Sequence, residues 1–249
     1  NEEAHYYFRL GLDDDEKFFR NGKSYPQLIH EAVGLRYAGR RYELQTTAED
    51  REAAERRVRA AGVPDGAWPL IGINPGAGHV FANKAWREEG YVELLHALRV
   101  HYPEGAALLL GGPDEAQLID RLLHAAPGFA HHPGTDNDLG TFVGLIERCD
   151  VVVSGDTLAM HLALALGRRS VAIFGPTCPQ EIEMFGLGER IVTPIGCAPC
   201  YLRFCDRQPN CQDLIDSATV LAAVLRQVEQ TGQRRPVDPA AARPVSPSN

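Results

Sequence analysis

From Leu70 onward the chain alternates short apolar runs with stretches of helical period, and each run ends in a turn of small or polar residues. Strands are expected over 70–74, 106–110, 151–153 and 170–174, with one more short strand over 190–193; helices are expected over 87–101, 114–125, 139–148 and 157–166. The strand runs are apolar at successive positions rather than at alternate ones. A strand of that kind is buried on both faces, so the pattern predicts an α/β fold: a Rossmann-like parallel sheet with helices on both sides. Asn74-Pro75-Gly76-Ala77-Gly78, Gly111-Gly112-Pro113, Ser154-Gly155-Asp156-Thr157 and Gly175-Pro176-Thr177 follow four of these strands and should open on one sheet edge. Ligands of open parallel sheets bind at that edge.

The flanks read differently. Residues 1–45 carry aromatics, the acidic run Asp13-Asp14-Asp15-Glu16 and the turn-prone Asn21-Gly22, without strand and helix alternation. The acidic run reads as a solvated helix start. A helix is expected over 46–60 with Thr47 as its cap, stopped by Gly62 and Pro64. Residues 233–249 are rich in Pro, Ala, Arg and Ser and read as a flexible tail. The expected organisation is thus an end piece at 1–45, a ligand-binding domain at 46–232 and the tail.

No apolar run reaches the roughly 18 residues of a membrane span, and no leader-like segment opens the chain. The absence of methionine at position 1 points to processing or truncation. A net charge of −8 argues against a broad nucleic-acid surface.

Two segments could carry chemistry. Asn74 to Gly78, followed by Lys84 and Trp86, puts small residues and a cation just before a helix, where backbone N–H groups can approach a phosphate. Its spacing is neither that of the dinucleotide fingerprint nor that of a P-loop. In Ser154 to His161 a strand delivers Asp156 and Thr157 to a helix start, with His161 one turn further on. Asp156 reads either as the cap of that helix alone or as a cap that also takes part in a ligand site. A serine hydrolase finds no G-x-S-x-G elbow, and metal binding by Asp156 and His161 lacks a third neighbour. Cys197, Cys200, Cys205 and Cys211 crowd a loop containing Pro199 and Pro209, which suits a zinc or iron site, disulfides or free thiols; Cys149 and Cys178 stand apart.

Taken in order, Asn74-Pro75-Gly76-Ala77-Gly78, Asn83-Lys84-Ala85-Trp86, Gly111-Gly112-Pro113-Asp114-Glu115, Ser154 to His161 and Phe174-Gly175-Pro176-Thr177 resemble the carboxy-terminal half of glycosyltransferase family 9, the ADP-heptose heptosyltransferase group. The resemblance covers about residues 70–225, and residues 1–45 resemble the end of that family's amino-terminal acceptor domain. It implies a GT-B architecture whose carboxy-terminal Rossmann-like domain binds the nucleotide sugar. The implied donor site has Lys84 on the diphosphate, Glu115 on the ribose, Asn137 near the base, Asp156 on the sugar hydroxyls, and Thr157, Leu158 and Ala159 offering amides to the phosphates with His161 in support. Leu158 stands where the family commonly has Gly, and Cys178 where it commonly has Asp.

The implied activity is inverting transfer of a sugar, most readily a heptose from ADP-heptose, to a glycan such as the lipopolysaccharide core or to a protein. No catalytic cofactor is implied, and the family's general base belongs to the acceptor domain. The chain by itself is therefore expected to bind donor without turning it over. The implied setting is cytoplasmic, at the inner face of a bacterial membrane with peripheral contact. Family members that modify autotransporter proteins carry a cysteine-bound iron, which implies a structural iron or zinc at Cys197, Cys200, Cys205 and Cys211. The rival readings are a sugar-nucleotide epimerase taking a UDP sugar and a non-catalytic, metal-stabilised interaction module.

Overall fold

A computed structural model describes residues 1–78 and 82–232. The tail expected over 233–249 lies outside the described residues. The chain opens with α1 (Glu2–Arg9), a π-helical turn (Glu16–Arg20), α2 (Tyr25–Ala32) and α3 (Ala48–Ala60). There follow β1 (Leu70–Asn74), α4 (Glu88–His101), β2 (Ala106–Leu109), α5 (Ala116–Ala125), β3 (Ala130–His131), α6 (Leu139–Arg148), β4 (Val151–Gly155), α7 (Leu158–Ala165), β5 (Arg169–Phe174), β6 (Gly188–Val192) and α8 (Ser217–Thr231).

All six strands are parallel, in the order β3-β2-β1-β4-β5-β6. This is the doubly wound arrangement, and its order reverses between β1 and β4. Successive strand residues explain the unbroken apolar runs. Ile71, Ile73, Ala107, Leu109, Val151 and Val153 face a core shared with α4, α5 and α8, whereas Leu70, Ala106, Leu108 and Val152 face a second core shared with α3, α6 and α7. The expected α/β class, with helices on both faces, holds.

Several boundaries move. Residues 114 and 115, read as the start of a helix, belong to a 3-10 turn (Pro113–Glu115) that precedes α5. The strand expected over 190–193 begins earlier, at Gly188, and β3 and α8 were not anticipated. β3 pairs through two residues only, too short a stretch to leave a pattern. The acidic run does begin a helical turn, with the Asp13 carboxylate accepting from the Glu16 N–H at 3.0 Å.

The amino-terminal segment is tied to the body of the fold. Gln180 donates to the carbonyls of Lys17 and Phe18, Phe18 stacks on Tyr201 with centroids 5.5 Å apart, and Ser24 and Tyr37 both donate to Glu183.

Candidate donor site

The site is built where the sheet order reverses. Asn74 ends β1 beside Ser154 of β4, and its side chain is buried with 8% exposure. The Asn74 amide donates to the Leu110 carbonyl at 2.8 Å, which ties the end of β1 to that of β2. Its Oδ1 accepts from the Thr157 hydroxyl at 3.0 Å. Thr157 is the N-cap residue of α7, yet its side chain makes no capping bond. The first turn of α7 is therefore left without the side-chain acceptor that usually occupies it, and it points its amides toward the strand ends.

A cavity of about 320 Å³ lies at this edge. Glu115, Asn137, Thr157, Leu158 and Ala159, five of the residues for which the resemblance implies a donor-binding role, line it. The volume lies at the small end of the range for small-molecule sites. Glu115 is held by the Gly112 N–H, which donates to its carboxylate at 2.9 Å. Gly76 leaves the space that this carboxylate fills, since a Cβ there would collide with it. Asn137 donates to the Gly134 carbonyl at 2.6 Å, and its Oδ1 is buried without a hydrogen-bond partner. A buried amide oxygen without a partner costs free energy, so this side chain is held by the loop at the expense of one hydrogen bond.

Lys84, Asp156 and His161 form a second group next to this cavity. Lys84 Nζ lies 3.0 Å from the Asp156 carboxylate and 3.3 Å from its carbonyl. His161 Nε2 is 3.8 Å from the other carboxylate oxygen. Partial burial holds the His161 pKa below its usual value, Asp156 opposes that shift and Lys84 adds to it. The ring is still 46% exposed, so the effect is screened. The capping role weighed for Asp156 is not found, because Thr157 is the residue at the cap and the Asp156 carboxylate pairs with Lys84 instead. Since Asp156 and Thr157 are consecutive, the cation and the open helix start sit side by side.

Asn74, Thr135, Leu139 and Phe142 also line the cavity and were not among the expected site residues. Asn74 had a signal, as the first residue of the Asn-Pro-Gly turn. The other three had none, because the 132–142 loop reaches the edge only through the placement of β3 and α6.

The cysteine loop departs from expectation. All six cysteines are free, and among the described residues no group of three or more His, Cys, Asp or Glu side chains is arranged to hold a metal. The disulfide reading and the closed four-thiol site are both absent from this arrangement. Cys205 is exposed, Cys211 is buried, and Cys197 and Cys200 lie between these extremes. They are nonetheless neighbours: burial first, and then the Cys200, Cys205 and Cys197 thiols, push the Cys211 thiol up to about 11.

The family model for glycosyltransferase family 9 (heptosyltransferase) matches residues 21–210. The chain belongs to that family. It is 28% identical over 180 residues to a lipooligosaccharide heptosyltransferase 2 of Haemophilus ducreyi, an alignment covering 64% of this chain and 50% of that protein. The chain thus spans about half the length of the curated relatives it matches. Among solved structures, a family 9 glycosyl transferase from Veillonella parvula superposes with a TM-score of 0.66 at 18% identity, covering 86% of this chain and 62% of the other. The dodecameric iron-containing heptosyltransferase TibC, solved with ADP-D-beta-D-heptose, gives 0.52 at 17% identity over 66% of this chain and 46% of that one. These likenesses show a common fold. No helix among the described residues is long and apolar enough to cross a membrane.

Proposed function

We propose that this chain is the donor-binding part of a heptosyltransferase that moves a sugar from ADP-heptose to a lipopolysaccharide-type glycan. The observation that carries the reading is the junction of Lys84 with the uncapped start of α7 at the point where the sheet order reverses. Breaking the glycosidic bond leaves charge on the departing diphosphate. A lysine and oriented amides placed beforehand stabilise that charge, and do so better in a partly desolvated cleft than in water. Without donor, Asp156 neutralises Lys84; the diphosphate takes over that role when it binds, and the Asp156 carboxylate is released toward the sugar hydroxyls. Glu115 and Asn137 serve the ribose and the base. The residue that deprotonates the acceptor is not assigned on this chain.

Thermal unfolding with ADP, UDP and GDP tests the reading. ADP at 100 times its dissociation constant should add about 2.7 kcal/mol, UDP and GDP less, and Lys84→Ala should shrink the ADP shift. Equal responses to all three nucleotides would remove the adenine reading, and no response to any of them would remove donor binding.

A second reading is carried by the grouping of Cys197, Cys200 and Cys205 around Cys211. Four thiolates are a suitable donor set for iron or zinc, and the loop must tighten for them to ligate together. Protein purified anaerobically should then contain close to one equivalent of metal by elemental analysis, and lose it when Cys200 and Cys211 are both replaced by serine. Metal far below one equivalent would end this reading.

A further inference from the structure

Lys84 closes a short 3-10 turn (Ala82–Lys84), and the last carbonyls of such a turn have no donor within it. Both the Asn83 and the Lys84 carbonyl accept from one group, the side-chain amide of Gln212, at 3.0 Å each. Gln212 is 5% exposed and follows Cys211 directly. Two carbonyls facing a single amide require its NH₂ end, so its orientation is fixed. Its Oε1 is buried without a partner, so the side chain gives up one hydrogen bond in order to make these two.

The packing around the amide is equally close. A Cβ on Gly175, just beyond β5, would collide with the Gln212 amide and lie 2.9 Å from Cys211 Sγ. A Cβ on Gly155, at the end of β4, would lie 3.1 Å from the Lys84 carbonyl. The peptide bearing Lys84 is therefore held between a glycine on one strand end and a buried amide seated against a glycine on the next. Other bonds bring the same loop to the same segment: Asn83 donates to the Leu202 carbonyl, and Trp86 Nε1 to the Ile215 carbonyl at 3.0 Å.

We propose that Gln212 is a positioning residue for Lys84, its amide fixing the main chain from which the lysine reaches the donor diphosphate. The inference rests on the reading of Lys84 given above and adds a role for the cysteine-rich loop, which supports the phosphate-binding cation through the residue after Cys211. A four-carbon side chain swings widely about a loose backbone. Pinning both flanking carbonyls removes that freedom before ligand arrives, so less of it is lost on binding.

The test is calorimetric titration of the chain with ADP and, separately, with adenosine, using wild type, Lys84→Ala, Gln212→Met and the double variant. Methionine keeps the length of the side chain and removes its donor; Gln212→Leu is the substitute should Gln212→Met fail to fold, with melting curves as the check. The expected result is a three- to tenfold loss of ADP affinity in Gln212→Met, unchanged adenosine affinity, and no further loss when the change is made on top of Lys84→Ala. Equal weakening of ADP and adenosine, or an effect that persists in full without Lys84, would assign Gln212 a general structural role and overturn the proposal. An ADP affinity that drops in Lys84→Ala but not in Gln212→Met overturns the proposal alone. One that ignores Lys84→Ala overturns the reading of the lysine and the proposal with it.

Discussion

Asp156 and Cys149 are both small groups near strand ends, and their surroundings give them opposite fates. Asp156 meets Lys84 and stays accessible to a ligand. Cys149 is fully buried beneath β1, donates its S–H to the Leu145 carbonyl at 3.3 Å, and has its thiol pushed up from 9.0 to about 12, chiefly by burial and then by Asp150. The folded state therefore holds the Cys149 proton more tightly than the unfolded chain does. This contribution to stability is complete below pH 9.0 and is lost as pH rises toward about 12. In denaturant titrations wild type should lose up to about 1.4 kcal/mol per pH unit more than Cys149→Ala does across that window; parallel curves would show that the thiol is not protected. The motif order already marked Asp156 as a site residue, but its partner was hidden in the sequence, because Lys84 lies 72 positions away and only the β1 and β4 pairing unites them. Burial of Cys149 was equally hidden, since it depends on Gly72, where a Cβ would lie 2.7 Å from the cysteine sulfur.

At the scale of elements, those with local signals could be read and those fixed by packing could not. Helix α3 announces itself: Thr47 caps it, with the Asp50 N–H donating to the Thr47 hydroxyl at 3.1 Å and the Asp50 carboxylate accepting from the Thr47 N–H at the same distance. Helix α8 has a comparable cap in Asp216, which accepts from Ala218 and Thr219, but it follows an irregular cysteine loop that obscured its start. The crossing of α3 with α6 left no mark in the sequence. A Cβ on Gly144 would come within 2.7 Å of the Asp50 carbonyl and 2.8 Å of the Ala54 Cβ, so the two helices touch at the glycine backbone. Gly144→Val should then force them apart and cost about 1 to 3 kcal/mol by thermal melting, whereas Thr47→Ala, which removes one exposed cap, should cost about 1 kcal/mol. If Gly144→Val were the milder of the two, close packing at the crossing would be refuted.

Over the whole molecule, one consequence of an all-parallel sheet is that its carboxyl edge collects every loop with a proposed role in binding, while the opposite edge has none. Asn74, Gly112, Lys84, Asp156 and Thr157 come from four separate stretches of chain and meet there because β1, β2 and β4 run side by side in one direction. Ligand binding should therefore quiet these stretches together. Hydrogen exchange followed by mass spectrometry, with saturating ADP, should show slowed exchange over 74–78, 83–86, 111–115, 134–142 and 154–161. Residues 62–69 and 103–105, which lead into the opposite ends of β1 and β2, should exchange as before. The amino-terminal helices α1 and α2 provide a second control, because none of their residues lines the cavity and the adjoining Lys17 and Ser24 bond to Gln180 and Glu183 instead. Binding stabilises every segment that opens only by global unfolding, so the comparison has to be made at short exchange times, when local opening dominates. Protection centred on α1 and α2, or spread evenly over both edges at those times, would place the nucleotide elsewhere. Protection confined to these carboxyl-edge stretches would tie the donor to the point where the strand order reverses, and its strength over 83–86 in Gln212→Met would show how far the cysteine-rich loop steadies the lysine.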